Sequence, residues 1–108
     1  MNDRPICFFD SGIGGSTILK EVIKKLPNEN YIYYADSKNN PYGNKTKKEL
    51  FDIVCCAVDN LLKYNPKLIV CACNTATEVV LNDIRKKYKD ITFIGTEPAV
   101  KVVYDHYK

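Results

Sequence analysis

The strongest constraint on this chain is the alternation of short, unbroken apolar runs with longer stretches whose apolar residues recur at helical spacing. Ile6-Cys7-Phe8-Phe9 is apolar throughout and stops at Asp10-Ser11-Gly12, which reads as a strand buried on both faces and ended by a turn. Tyr31-Ile32-Tyr33-Tyr34, Leu68-Ile69-Val70-Cys71-Ala72 and Ile91 to Ile94 repeat the pattern, the third being the most apolar and so the best candidate for a central strand. Helix-period segments lie between them. Ser16 to Leu26 places Ile18, Leu19, Val22, Ile23 and Leu26 on one stripe, closed by Pro27-Asn28. Thr46 with Glu49 forms a capping-box pair opening a helix to about Lys63, with Leu50, Val54, Ala57, Val58 and Leu61 facing inward. Thr75 with Glu78 forms a second such pair, predicting a helix through Tyr88. Pro98 to Tyr107 is again helical in pattern.

Strands that alternate with helices need right-handed crossovers, so the strands run parallel and the helices cover both faces. The predicted fold is α/β: an open, doubly wound parallel sheet of about four strands with helices on both faces, in the flavodoxin-like order 2-1-3-4. A length of 108 residues suits one domain and not two. The expected division is an incomplete amino-terminal domain over 1–97, then 98–108 as the start of a helix leading toward a second domain, because that last apolar stripe ends without a cap or glycine.

Composition removes several classes of function. With 45% hydrophobic and 27% charged residues, the chain has the balance of an ordinary globular domain. No apolar run approaches the roughly 20 residues that span a bilayer, and the start of the chain is no signal peptide, so a cytoplasmic location and no membrane partner are expected. The five cysteines, at positions 7, 55, 56, 71 and 73, are odd in number and sit in apolar segments, which argues for free thiols in a reducing compartment. Cys71-Ala72-Cys73 lacks the second Cys or Cys-His pair of a zinc site, so no metal is expected. The net charge of +3 comes from scattered lysines, and the densest group, Lys45, Lys47 and Lys48, reads as a solvated helix face rather than a nucleic-acid patch.

Chemistry enters through position. Asp10 to Gly15 follows the first strand, Asp36 to Gly43 the second, and Cys73-Asn74-Thr75 the third. In a parallel sheet these loops share the edge beyond the strands' carboxyl ends, where open α/β sheets bind ligands at the point of reversed strand order. Asp10, Ser11 and Cys73 are then expected in one crevice. Gly12, Gly14 and Gly15 allow close backbone approach to a carboxylate or phosphate, although the spacing is not that of a dinucleotide or P-loop motif. Cys73 precedes a helix amino terminus, a setting that favours thiolate over the ordinary thiol pKa of about 8.5 and suits a base near neutrality. Asp10 would orient that thiol or hold a proton. Tyr42, between Pro41 and Gly43, reads equally well as a turn aromatic or a site residue.

Four motifs together resemble one family. Phe9-Asp10-Ser11-Gly12-Ile13-Gly14-Gly15, Pro41-Tyr42-Gly43-Asn44-Lys45, Ala72-Cys73-Asn74-Thr75-Ala76 and Gly95-Thr96-Glu97-Pro98 look like successive signatures of glutamate racemases, in order and across nearly the whole chain. Aspartate racemases share the fold and the cysteine, but the Asp-Ser-Gly and Pro-Tyr-Gly elements favour the glutamate branch. The resemblance implies a cofactor-free, two-base interconversion of L- and D-glutamate, supplying D-glutamate for peptidoglycan. By motif match it implies Cys73 and Asp10 as catalytic, and Asp10, Ser11, Pro41, Tyr42, Gly43, Asn74 and Thr75 as substrate-contacting. It marks Glu97-Pro98 as the start of the crossing into a second domain, and the family's second cysteine lies in a later Gly-Cys-Thr-His segment that this sequence does not contain. The expected partner is therefore glutamate, with a homo-oligomer possible and the isolated chain inactive. The alternatives are an inactive glutamate-binding or interaction module, and an aspartate racemase.

Overall fold

In the computed structural model, residues 3–12 and 15–95 are described. β1 (Ile6–Asp10) is buried along its whole length, as an unbroken apolar run requires. Its side chains alternate between two cores: Ile6 and Phe8 join one, Cys7 and Phe9 the other. α1 (Gly15–Lys25) covers the first face with Val22, followed by Leu26 just beyond the helix. α2 (Lys47–Leu62), α3 (Asn74–Val79) and α4 (Leu81–Lys87) cover the second.

The sheet has the order β2-β1-β3-β4 and every pairing is parallel, with β2 at Tyr31–Ala35, β3 at Leu68–Cys71 and β4 at Phe93–Ile94. This is the predicted order. The chain leaves β1 toward β2 on one side and returns over it to β3 on the other, so the direction of winding reverses between β1 and β3. Central β1 and β3 are fully buried, whereas edge strand β2 is only half covered.

Local signals explain most element boundaries. The Thr46 side chain accepts from the Glu49 N–H at 3.1 Å, and the Glu49 carboxylate accepts from the Thr46 N–H at 2.8 Å, completing the box that starts α2. All five residues predicted to face inward from α2 are buried. On α1 the expected stripe is narrower: Val22 is buried, Ile18 and Leu19 are half-buried, and Ile23 is 38% exposed at the margin of the apolar face.

Three boundaries differ from expectation. The second capping box does not form: the helix begins one residue before Thr75, and its N-cap is Cys73, with no side-chain cap bond. The predicted continuous helix to Tyr88 breaks at Val80 (φ −126°, ψ −9°), where Thr75, Thr77, Val79 and Val80 crowd a short segment with β-branched side chains that fit a helix poorly. β4 starts at Phe93, because Ile91 is taken up in a turn that donates to the Tyr88 carbonyl at 3.1 Å. The predicted helix over 98–107 and the Glu97-Pro98 crossing lie outside the described residues.

All five cysteines are free, and two carry a pH signature. Burial pushes the Cys7 and Cys71 thiols up to about 11 from an ordinary 9.0. A raised folded-state pKa stabilises the fold fully below the unfolded value and loses that contribution as pH rises through the folded one. Stability should therefore fall between about pH 9 and 11, by up to about 3 kcal/mol for each thiol. Urea midpoints measured across that window should decline less steeply in Cys7→Ala.

Candidate functional site

Among the described residues, the buried polar or charged side chains are Asp10, Ser11 and Asp36, and all three sit at the carboxyl ends of β1 and β2. Burying a carboxylate is costly without partners, so their arrangement shows what this edge is built to hold. The Asp10 Oδ1 accepts from the Gly12 N–H at 2.6 Å and its Oδ2 from the Tyr33 hydroxyl at 2.5 Å. The backbone between them is fixed too, the Asp36 N–H donating to the Asp10 carbonyl at 2.9 Å. Asp36 in turn accepts from the Tyr42 hydroxyl at 2.6 Å and from Asn39 Nδ2 at 3.0 and 3.1 Å.

Beside these carboxylates lies a crevice of about 370 Å³, lined by Ser11, Ile18, Asn40, Pro41, Tyr42, Gly43 and the run from Ala72 to Thr75. Its size is near the lower end of small-molecule sites and suits a ligand such as an amino acid. It stands at the reversal point between β1 and β3, where Ala72 N–H donates to the Phe9 carbonyl at 2.7 Å and holds the third loop against the end of the first strand.

Six of the expected contacts besides Cys73 line this crevice together: Ser11, Pro41, Tyr42, Gly43, Asn74 and Thr75. Cys73 is 8% exposed, and its sulfur is not spent on capping α3. Thr75, inside the helix rather than at its cap, keeps its hydroxyl from that duty as well. A Cβ built on Gly43 would meet nothing within 4 Å, so the space beside it is open. Asp10 is placed differently. It is completely buried behind Ser11 and does not line the crevice, its oxygens being engaged by Gly12 and Tyr33. The carboxylate raises its partner in return: burial first, then Asp10, pushes the Tyr33 phenol up to about 12. Gly14 and Ile13 of the first loop lie outside the described residues.

Some contributors were not singled out from the sequence. The sequence pattern places Ile18 in the α1 core stripe alone, and Asn40 and Asp36 simply in a loop. Asp36 had a usable signal, since it follows β2 directly and occupies the same edge as the residues that follow β1 and β3. Nothing in the sequence pointed to Tyr33 as a partner of Asp10.

An open parallel α/β sheet thus carries a cysteine, hydroxyls and an amide around one crevice at its reversal point, the place where such sheets bind ligands. Comparison with known proteins gives the family. The chain matches the amino-terminal portion of glutamate racemases: it is 55% identical over 100 residues to that of Clostridium botulinum, covering 93% of this chain and 39% of the relative. Its backbone also matches solved glutamate racemases. That of Francisella tularensis in complex with D-glutamate gives a TM-score of 0.82 at 36% identity, over 88% of this chain and 36% of that one. That of Escherichia coli in complex with L-glutamate and the activator UDP-MurNAc-Ala gives 0.78 at 36% identity, over 85% and 35%. No family model matches the chain. It therefore spans about two fifths of the length of the curated relatives it matches. Among the described residues no helix is long and apolar enough to cross a membrane.

Proposed function

We propose that this chain supplies one wall of a glutamate racemase site, with Cys73 as one of two acid/base groups. The observation that carries the reading is the gathering of Cys73 with Ser11, Tyr42, Asn74 and Thr75 around one crevice at the sheet's reversal point. Inverting a carbon centre means removing a proton from one face and returning one to the other. A single thiol serves one face only, so the second acid/base must come from outside these 108 residues, and the chain alone should not racemise. Charge that develops at the α-carbon spreads into the substrate carboxylate, where hydroxyl and amide donors from Ser11, Asn74 and Thr75 stabilise it. Asp10 does not line the crevice; bonded to the Gly12 N–H and the Tyr33 hydroxyl, it holds the turn that follows Ser11. The reading includes D-glutamate supply for peptidoglycan, no cofactor, and residues 98–108 as the approach to a second domain.

A chimera tests it. This chain replaces the matching 100 residues of the Clostridium botulinum relative, and the product is assayed with both enantiomers of glutamate and of aspartate. Racemisation of glutamate in both directions is expected, with none from the isolated chain. A folded chimera that racemises aspartate and leaves glutamate untouched would favour the aspartate branch, and one that turns over neither would count against the reading.

A further inference from the structure

Of the buried polar groups at the sheet edge, Asp36 is the one that the proposed chemistry does not use. It is 7% exposed, and its backbone is locked to β1 by the bond to the Asp10 carbonyl. From that rigid point its carboxylate reaches two places along the following loop, Asn39 and the Tyr42 hydroxyl. Within the loop the two 3-10 turns, Ser37–Asn39 and Tyr42–Asn44, are each closed by a backbone bond, from Asn40 N–H to the Ser37 carbonyl at 3.3 Å and from Lys45 N–H to the Tyr42 carbonyl at 3.0 Å. Neither has a side-chain cap, so the Asp36 carboxylate is the side chain that ties one turn to the other. The Tyr42 ring is 2% exposed and packs against Phe9 with centroids 6.1 Å apart, so ring packing sets its depth and the hydroxyl bond sets its rotation. Burial, and then the Asp36 carboxylate, holds the Tyr42 phenol well above the usual tyrosine range, so it stays a donor at any ordinary pH.

Resting on the reading of the crevice given above, we propose that Asp36 is a positioning residue: it holds Tyr42, and through Tyr42 the Pro41–Gly43 wall that shares the crevice with Cys73. The Tyr42 hydroxyl is then committed to Asp36. With Tyr42 itself buried, what this wall offers a ligand is Pro41 and the Gly43 backbone, and recognition of a carboxylate falls to Ser11, Asn74 and Thr75.

The test is a double-mutant cycle on the 108-residue chain with Asp36→Ala, Tyr42→Phe and both together, reading iodoacetamide labelling of each cysteine by peptide mass. Either single change should raise Cys73 labelling about fivefold, and the pair should raise it no further, because both remove the same bond. Exposed Cys56 should label as before, and Cys7 and Cys71 should stay protected. Additive effects, or a parallel rise at Cys7 and Cys71 that reports general opening, would overturn the proposal. If Asp36→Ala does not fold, Tyr42→Phe decides alone: unchanged Cys73 labelling overturns it, and a rise with Cys7 quiet supports it. Whether glutamate slows Cys73 labelling in the unaltered chain bears on the proposed function only, so the two ideas fail separately.

Discussion

Cys73→Ala in the chimera with the Clostridium botulinum relative is expected to lower racemisation of both glutamate enantiomers by about 10³-fold, within the range that a positioned acid/base contributes. The reason is positional. β3 delivers residue 73, still buried at the margin of the core, to the reversal point of the sheet, and the third loop is clamped there by the Ala72 to Phe9 bond. On the proposed reading, each direction needs a thiolate on one face to take the proton and a thiol on the other to give one, so losing either sulfur impairs both directions. Cys71 provides the contrast. It lies two residues earlier in the strand, 3% exposed, with burial holding its thiol up at about 11, and it does not line the crevice. Cys71→Ala should keep activity within about tenfold and lower stability by about 1 kcal/mol for the lost buried group. Polarimetric assay in both directions checks both variants, and a loss below tenfold for Cys73→Ala would contradict the assignment.

Gly12→Ala should be the most damaging single methyl in the first loop, destabilising the fold by about 3 kcal/mol from backbone strain and steric overlap together. Gly12 has φ +97°, a conformation that L side chains rarely adopt, and its added Cβ would lie 2.6 Å from Ser37 Oγ and 2.9 Å from Ser37 Cα. The second distance is to backbone, so rotating a side chain does not relieve it. The same residue's N–H is bound by Asp10, so the strain reaches the buried carboxylate behind the crevice. A lower urea midpoint at unchanged slope is the expected result. Gly43→Ala is the control, since its Cβ meets nothing and the fold should keep its stability within about 0.5 kcal/mol.

The fold was legible because its information is local and repetitive. Unbroken apolar runs can be buried only as central strands or packed helices, and their alternation with helix-period segments leaves few topologies open. The Thr46–Glu49 box was readable for the same reason, since both partners lie within one turn. Thr75 and Glu78 match that motif equally well and form no cap, because β3 delivers the chain so that Cys73 already occupies the cap position. A short motif cannot record where the preceding strand ends. Val79 and Val80 similarly continued the apolar pattern while their branching broke the helix.

The site was legible as far as the sheet edge determines it. Loops that follow parallel strands share an edge, and that argument placed Asp10, Ser11 and Cys73 in one crevice; Ser11 and Cys73 line it and Asp10 does not. It could not determine which way Asp10 faces, because that depends on the Tyr33 hydroxyl 23 residues away and on the turn at Gly12. Nor could it resolve the two readings of Tyr42, which turn on a buried partner, Asp36, rather than on the neighbouring proline and glycine.

The most direct test of the central claim follows activity and Cys73 modification together. The chimera is treated with iodoacetamide, and residual racemisation is plotted against the fraction of the Cys73 peptide alkylated, with and without D-glutamate. The account predicts that activity falls in proportion to Cys73 modification and that D-glutamate slows both. Full activity in protein whose Cys73 is completely alkylated would contradict it.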